Sequence, residues 1–142
     1  SGGASILQSF INRETRMSYR VIAGIIGALM AATAWGWLLD PETAAGNLGM
    51  TYMDGIGRST LVGDMSAFFV FLVAMCVMGA ITKVGHYLHS AGLLLLLAAI
   101  FRTLAWVVHG AGFATTFIVL EVVCAALLFF SGTKIGQRDD IV

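Results

Sequence analysis

Residues Leu93–Glu121, LLLLLAAIFRTLAWVVHGAGFATTFIVLE, decide the fold. The stretch reads as the end of one apolar helix, a short glycine turn at Gly110–Gly112, and the start of another. Two charges stand inside it, Arg102 and Glu121. A charge at the centre of a bilayer costs roughly 3 kcal/mol by insertion scales. It persists where it is paired, turned into a helix bundle, or functional. The two residues are therefore the first candidates for a site.

Composition places the whole chain in the same solvent. Its 142 residues are 58% hydrophobic and 11% charged, against about 25% charged in soluble domains, and the mean hydropathy is +0.90. That surface cannot face water, so an integral membrane protein is expected. The net charge is zero, which argues against nucleic acid as a partner. Pro41 is the only proline, and it falls just past the first long apolar run. The two cysteines, Cys76 and Cys124, lie inside apolar runs without CxxC spacing, so they read as small buried side chains. The first apolar run is too long for a cleavable signal peptide, and further runs follow it.

A hydrocarbon core of about 30 Å needs roughly 20 helical residues. Four stretches meet this, over 18–39, 61–82, 86–108 and 113–130. The expected fold is all-α: a single domain, 1–142, forming a four-helix transmembrane bundle. Ile6, Leu7, Phe10 and Ile11 share a helical face before the first span, which suits an N-terminal helix lying in the interface. Gly24, Ala28, Ala32 and Gly36 recur every four residues in the first span, with Gly27, Ala31 and Ala34 beside them. Small residues at that spacing allow close helix packing, within the bundle or between copies in a homo-oligomer. Residues 40–60 form the one long connection, with a short helix expected over Thr43–Met53. On the third span Ala91, Ala98 and Ala105 recur every seven residues, and Arg102 lies close to them around the helix. That face is expected to meet other helices.

Orientation follows from the basic residues. Arg13, Arg16, Arg20, Lys83, Lys134 and Arg138 fall on one side of these spans and Arg58 alone on the other. The expectation is a bacterial inner-membrane protein with both termini cytoplasmic. Topology then converts position into depth. At about 1.5 Å per residue, Arg102 and Glu121 both lie roughly 10–14 Å below the outer end of consecutive antiparallel helices. A salt bridge between them is expected. Asp64, near the outer start of the second span, is a second partner for the arginine, and His109 and Arg58 sit above, near the mouth. Arg102, Glu121, His109, Asp64 and Arg58 form the candidate ligand-binding set.

No metal or cofactor is expected. His86 and His89 sit three residues apart at the opposite end with no third ligand evident, and facing histidine pairs for haem are absent. The Met-containing stripe of the second span reads as core rather than a copper site. No phosphate loop, serine elbow or HExxH helix occurs.

Arg58 followed five residues later by Gly63, Arg102 followed eight later by Gly110, and Glu121-Val122 opening an apolar run resemble the small bacterial four-helix inner-membrane proteins grouped as domain of unknown function 4345. The resemblance covers roughly residues 50–130. It implies that Arg58, Arg102 and Glu121 are the polar positions of the family, and it supplies no reaction. Asp64 departs from the small or apolar residue expected at its position. The leading functional expectation is a membrane protein, binding or accessory, whose polar cluster holds a lipid or other lipophilic small molecule. The alternatives are a membrane-embedded enzyme acting on an amphiphile and a proton-coupled exporter working as an oligomer.

Overall fold

The computed structural model describes residues 2–136. Five helices account for most of them: α1 Gly2–Leu39, α2 Pro41–Asn47, α3 Gly55–Thr82, α4 Gly85–His109 and α5 Thr115–Gly136. The architecture is all-α, and α1, α3, α4 and α5 are each long and apolar enough to cross a membrane. Arg138 lies outside the described residues.

The N-terminal segment is helical, but it is no separate interfacial helix. It is continuous with the first span, so α1 has 38 residues and runs for about 57 Å. No proline or glycine falls between Ala4 and Ala23 to break it. The polar side chains of this segment also turn back on their own helix. Ser9 Oγ donates to the Ile6 carbonyl at 2.8 Å, Thr15 Oγ1 to Ile11 at 2.8 Å, and Ser18 Oγ to Glu14 at 3.1 Å. Such back-bonding leaves no hydroxyl competing for a turn.

The short helix of the long connection is α2, which runs Pro41–Asn47 rather than Thr43–Met53. Asp40 caps it, accepting the Thr43 N–H at 3.2 Å, and Pro41 occupies the first turn, where its missing N–H costs nothing. α3 starts at Gly55, six residues ahead of the apolar run at Leu61. At the end of α4, Gly110 adopts a left-handed conformation at φ 65°. The Ala111 N–H then donates to the Ala105 carbonyl at 3.2 Å, the bond that closes a helix when glycine follows it.

α1 packs most extensively on α3, and α4 on α5; lesser α3–α4 and α1–α5 contacts close the ring. The small-residue repeat of α1 does not make the internal contacts. Its buried face is Ala23, Ile26, Gly27, Met30, Ala34 and Trp37, one continuous stripe at helical spacing. Gly24, Ala28 and Ala32 point away from the bundle. Close approach comes from other glycines. A Cβ on Gly85 would lie 2.1 Å from the Gly132 carbonyl oxygen, so α4 and α5 touch backbone to backbone there. His89 seals this crossing, its Nε2 within 3.2 Å of both the Phe129 carbonyl and Thr133 Oγ1.

The core has two tiers. The main cluster joins all four long helices through residues such as Ile26, Leu72, Cys76, Leu88 and Leu128, towards the Lys83 end. A second cluster, Trp37, Ala45 and Leu61, joins only α1, α2 and α3 at the opposite end. On α4 the last buried residue is Ala99, and on α5 the first is Cys124. The α4–α5 pair therefore has no fully buried side chain at the His109 end.

Candidate functional site

The unfilled tier is a cavity of about 450 Å³. Its wall is drawn from every long helix: Leu29, Met30 and Thr33 of α1, Met65, Phe68 and Phe69 of α3, Phe101 and Arg102 of α4, and Phe117, Glu121 and Cys124 of α5. The alanine heptad on α4 explains why space remains here. Ala91 falls in the closed tier and is fully buried. Ala98 and Ala105 flank Arg102 on the cavity wall, and methyl groups there leave room that leucines would fill. The face expected to contact other helices does so at one end only.

Arg102 and Glu121 meet as the depth argument requires. Arg102 Nε donates to both carboxylate oxygens of Glu121, at 2.9 Å to Oε1 and 3.2 Å to Oε2. The glutamate side chain is 11% exposed and the arginine 32%. Phe117, one turn before Glu121, places its ring centroid 5.1 Å from the guanidinium carbon, within reach of a cation–π interaction. The ring and the carboxylate thus hold the guanidinium from α5. Glu121 engages only Nε, so both terminal nitrogens of Arg102 are without a hydrogen-bond partner among the described residues. Arginine offers five N–H donors in a planar fork. Four of these remain available on a side chain that lines the cavity.

The other three candidates lie elsewhere. Arg58 is tied into its own loop: its Nη2 pairs with the Asp54 carboxylate, its Nε donates to the Met53 carbonyl at 2.9 Å, and its guanidinium stacks 4.6 Å from the Tyr52 ring centroid. These contacts fasten the start of α3. Asp64 is exposed and forms no ion pair with a described residue. It does not compete for Arg102, because helix rotation carries Met65 and Phe68 inward in its place. His109 is exposed in the last turn of α4 and does not line the cavity. At the other end, the His86 and His89 rings stand 6.1 Å apart, edge to face. Among the described residues no three His, Cys, Asp or Glu side chains are grouped to hold a metal.

The α1 and α3 residues of the wall were not singled out by sequence. Thr33 and Leu29 fall among many similar residues, and only the rotation of α1 tells which of them turn inward. Phe117 carried a usable signal: it precedes Glu121 by four residues, so it shares that helix face. Comparisons with protein-family models, with curated proteins and with solved structures return no match.

Proposed function

We propose that this chain binds a lipophilic molecule with an anionic end in the Arg102–Glu121 cavity. The observation that carries the reading is the half-used guanidinium on an apolar wall. Its unengaged fork suits a carboxylate or phosphate bidentately, and the phenylalanine and methionine walls suit an alkyl chain. A volume of about 450 Å³ falls within the roughly 300–1,000 Å³ of small-molecule sites. Glu121 then acts as the positioning residue, holding the guanidinium in place along the wall through Nε.

The same proposal places the chain in a bacterial inner membrane with both termini cytoplasmic. Arg13, Arg16, Arg20, Lys83 and Lys134 gather at one end of the spans and Arg58 at the other, which supports that orientation. The cavity then lies in the outer half of the bundle. Membership in the domain of unknown function 4345 group fits this reading through Arg102 and Glu121. Arg58 would serve such a family in its loop rather than in the pocket.

The test fills the cavity without touching the charges. Ala98→Leu and Ala105→Leu are made singly and together, and the protein is titrated with a spin-labelled fatty acid and with a lysophosphatidic acid in detergent. Wild type is expected to immobilise at least one probe, and the double variant to lose that immobilisation while keeping its thermal stability. Equal immobilisation by wild type and the filled variant refutes the reading.

A further inference from the structure

A second, larger hollow lies at the opposite end of the bundle, beyond the α4–α5 glycine crossing. It measures about 1080 Å³ and is bounded by the N-terminal half of α1, the α3–α4 turn and the end of α5. Four cationic side chains from two elements converge on it: Arg13, Arg16 and Arg20 of α1, and Lys83 of the turn. His86 and His89 add two imidazoles. No acidic side chain among the described residues lines it.

The backbone strengthens this positive field. Val84, Gly85 and His86, the opening of α4, face the hollow. That helix has no side-chain cap, and an uncapped helix start is favourable ground for an anion. The competing helix end is already answered. Arg20 Nε donates to the Ala80 carbonyl near the end of α3 at 2.8 Å, and the Lys83 N–H closes on Gly79 at 3.1 Å. Arg13 and Lys83 make no ion pair or hydrogen bond through their side chains with a described residue.

The surroundings indicate the ligand's source. The hollow sits where the apolar run of α1 begins, at Val21, the level of headgroups for a helix that spans. Its rim is greasy on the outside: Met17, Val21 and Val84 are exposed apolar side chains beside the cations. From there α1 continues into its apolar run with Ile25 and Leu29 exposed, a face suited to acyl chains rather than water.

We propose that this basic hollow is a binding site for the phosphate headgroup of an anionic phospholipid, large enough to take a headgroup with two phosphates. Basic pockets between transmembrane helices hold headgroups of that kind. The site is separate from the Arg102 cavity and stands or falls independently of it.

The experiment uses the full chain, delipidated in a neutral detergent, and reads retained lipid by native mass spectrometry. The probes are diphosphatidylglycerol and phosphatidylcholine, with inorganic phosphate and pyrophosphate as soluble arms read by thermal shift at matched ionic strength. The variant is Arg13→Gln with Lys83→Asn. Asparagine tolerates the left-handed backbone at Lys83, φ 58°, and neither side chain supports the fold. Diphosphatidylglycerol is expected to be retained over phosphatidylcholine, with retention falling roughly tenfold in the double variant and unchanged in Ala98→Leu with Ala105→Leu. Equal retention of the two lipids, or undiminished retention in the double variant, overturns the proposal. Stabilisation by phosphate or pyrophosphate as large as that by the lipid also overturns it, reassigning the hollow to a soluble phosphate ester.

Discussion

Exchanging both members of the Arg102–Glu121 pair separates what the pair does for the fold from what it does for a ligand. At 2.9 Å the gross attraction is about 6 kcal/mol with an effective dielectric of about 20, opposed by a desolvation cost of several kcal/mol per ion. The net contribution is therefore small, but the loss of one partner is not. Arg102→Met leaves Glu121, 11% exposed, without its counter-ion. Breaking such a pair costs about 3–5 kcal/mol, and the partial exposure of Arg102 favours the lower end of that range. Glu121→Leu alone leaves an arginine that can reach water, so it should cost about 1–2 kcal/mol. The double variant Arg102→Met with Glu121→Leu should fall within about 1 kcal/mol of wild type, because two apolar side chains replace a pair near break-even. Steric-trapping measurements of unfolding in bicelles would supply all four corners of this cycle. A coupling energy of about 3 kcal/mol or more is expected. Additive single effects, with no coupling, would refute the reasoning that the two charges stabilise each other. The same folded double variant should fail to immobilise the anionic probe; if it binds as wild type does, the arginine is only a structural strut.

Three further expectations follow from particular atoms. Gly85→Ala drives a Cβ to 2.1 Å from the Gly132 oxygen and should destabilise by about 3 kcal/mol or more. Gly24→Ala meets nothing within 4 Å and should be neutral or stabilising by about 0.5–1 kcal/mol; thermal unfolding of the two variants side by side checks this contrast. The Thr43 side chain and backbone N–H hold the Asp40 carboxyl below its ordinary value of 3.8. The folded value being the lower one, the cap's contribution is complete above the ordinary value and disappears as pH falls through the folded one. The Thr43 amide resonance should therefore titrate with a midpoint under 3.8 and be insensitive to pH in Asp40→Asn. Cys76 and Cys124 are both buried in the main core cluster, but only Cys124 borders the Arg102 cavity. An apolar alkylating reagent should modify Cys124 first in intact protein, and the anionic probe should slow that reaction; peptide mass mapping showing Cys76 modified first would contradict the placement.

Hydropathy and helical rise are quantities that run along one dimension, and the features that depend on them were legible in the sequence. Four apolar runs required four spanning helices, since backbone polar groups in hydrocarbon must be satisfied within the segment. Equal depth on consecutive antiparallel helices was enough to bring Arg102 to Glu121. The continuity of α1 was less legible, because the polar residues between Asn12 and Arg20 look like a boundary although no proline or glycine breaks the helix there.

What tertiary structure decided is the rotation of each helix about its own axis and the spacing between helices. Rotation turned the Gly24, Ala28 and Ala32 repeat away from the bundle, carried Asp64 to its outside, and brought Thr33 and Phe68 onto the cavity wall. A stripe of small residues has no preferred side until larger neighbours on the same helix, here Ile26, Met30 and Trp37, find partners. Spacing decided the two hollows. Gly85 against Gly132 clamps α4 to α5 at one end, while Ala98 and Ala105 leave room at the other, and no count along the chain reports the distance across a bundle. The sequence alone placed Arg102 and Glu121 at matching depth inside apolar runs. That the pair stands beside open space, with most of the arginine's donors unengaged, is set by packing across the bundle.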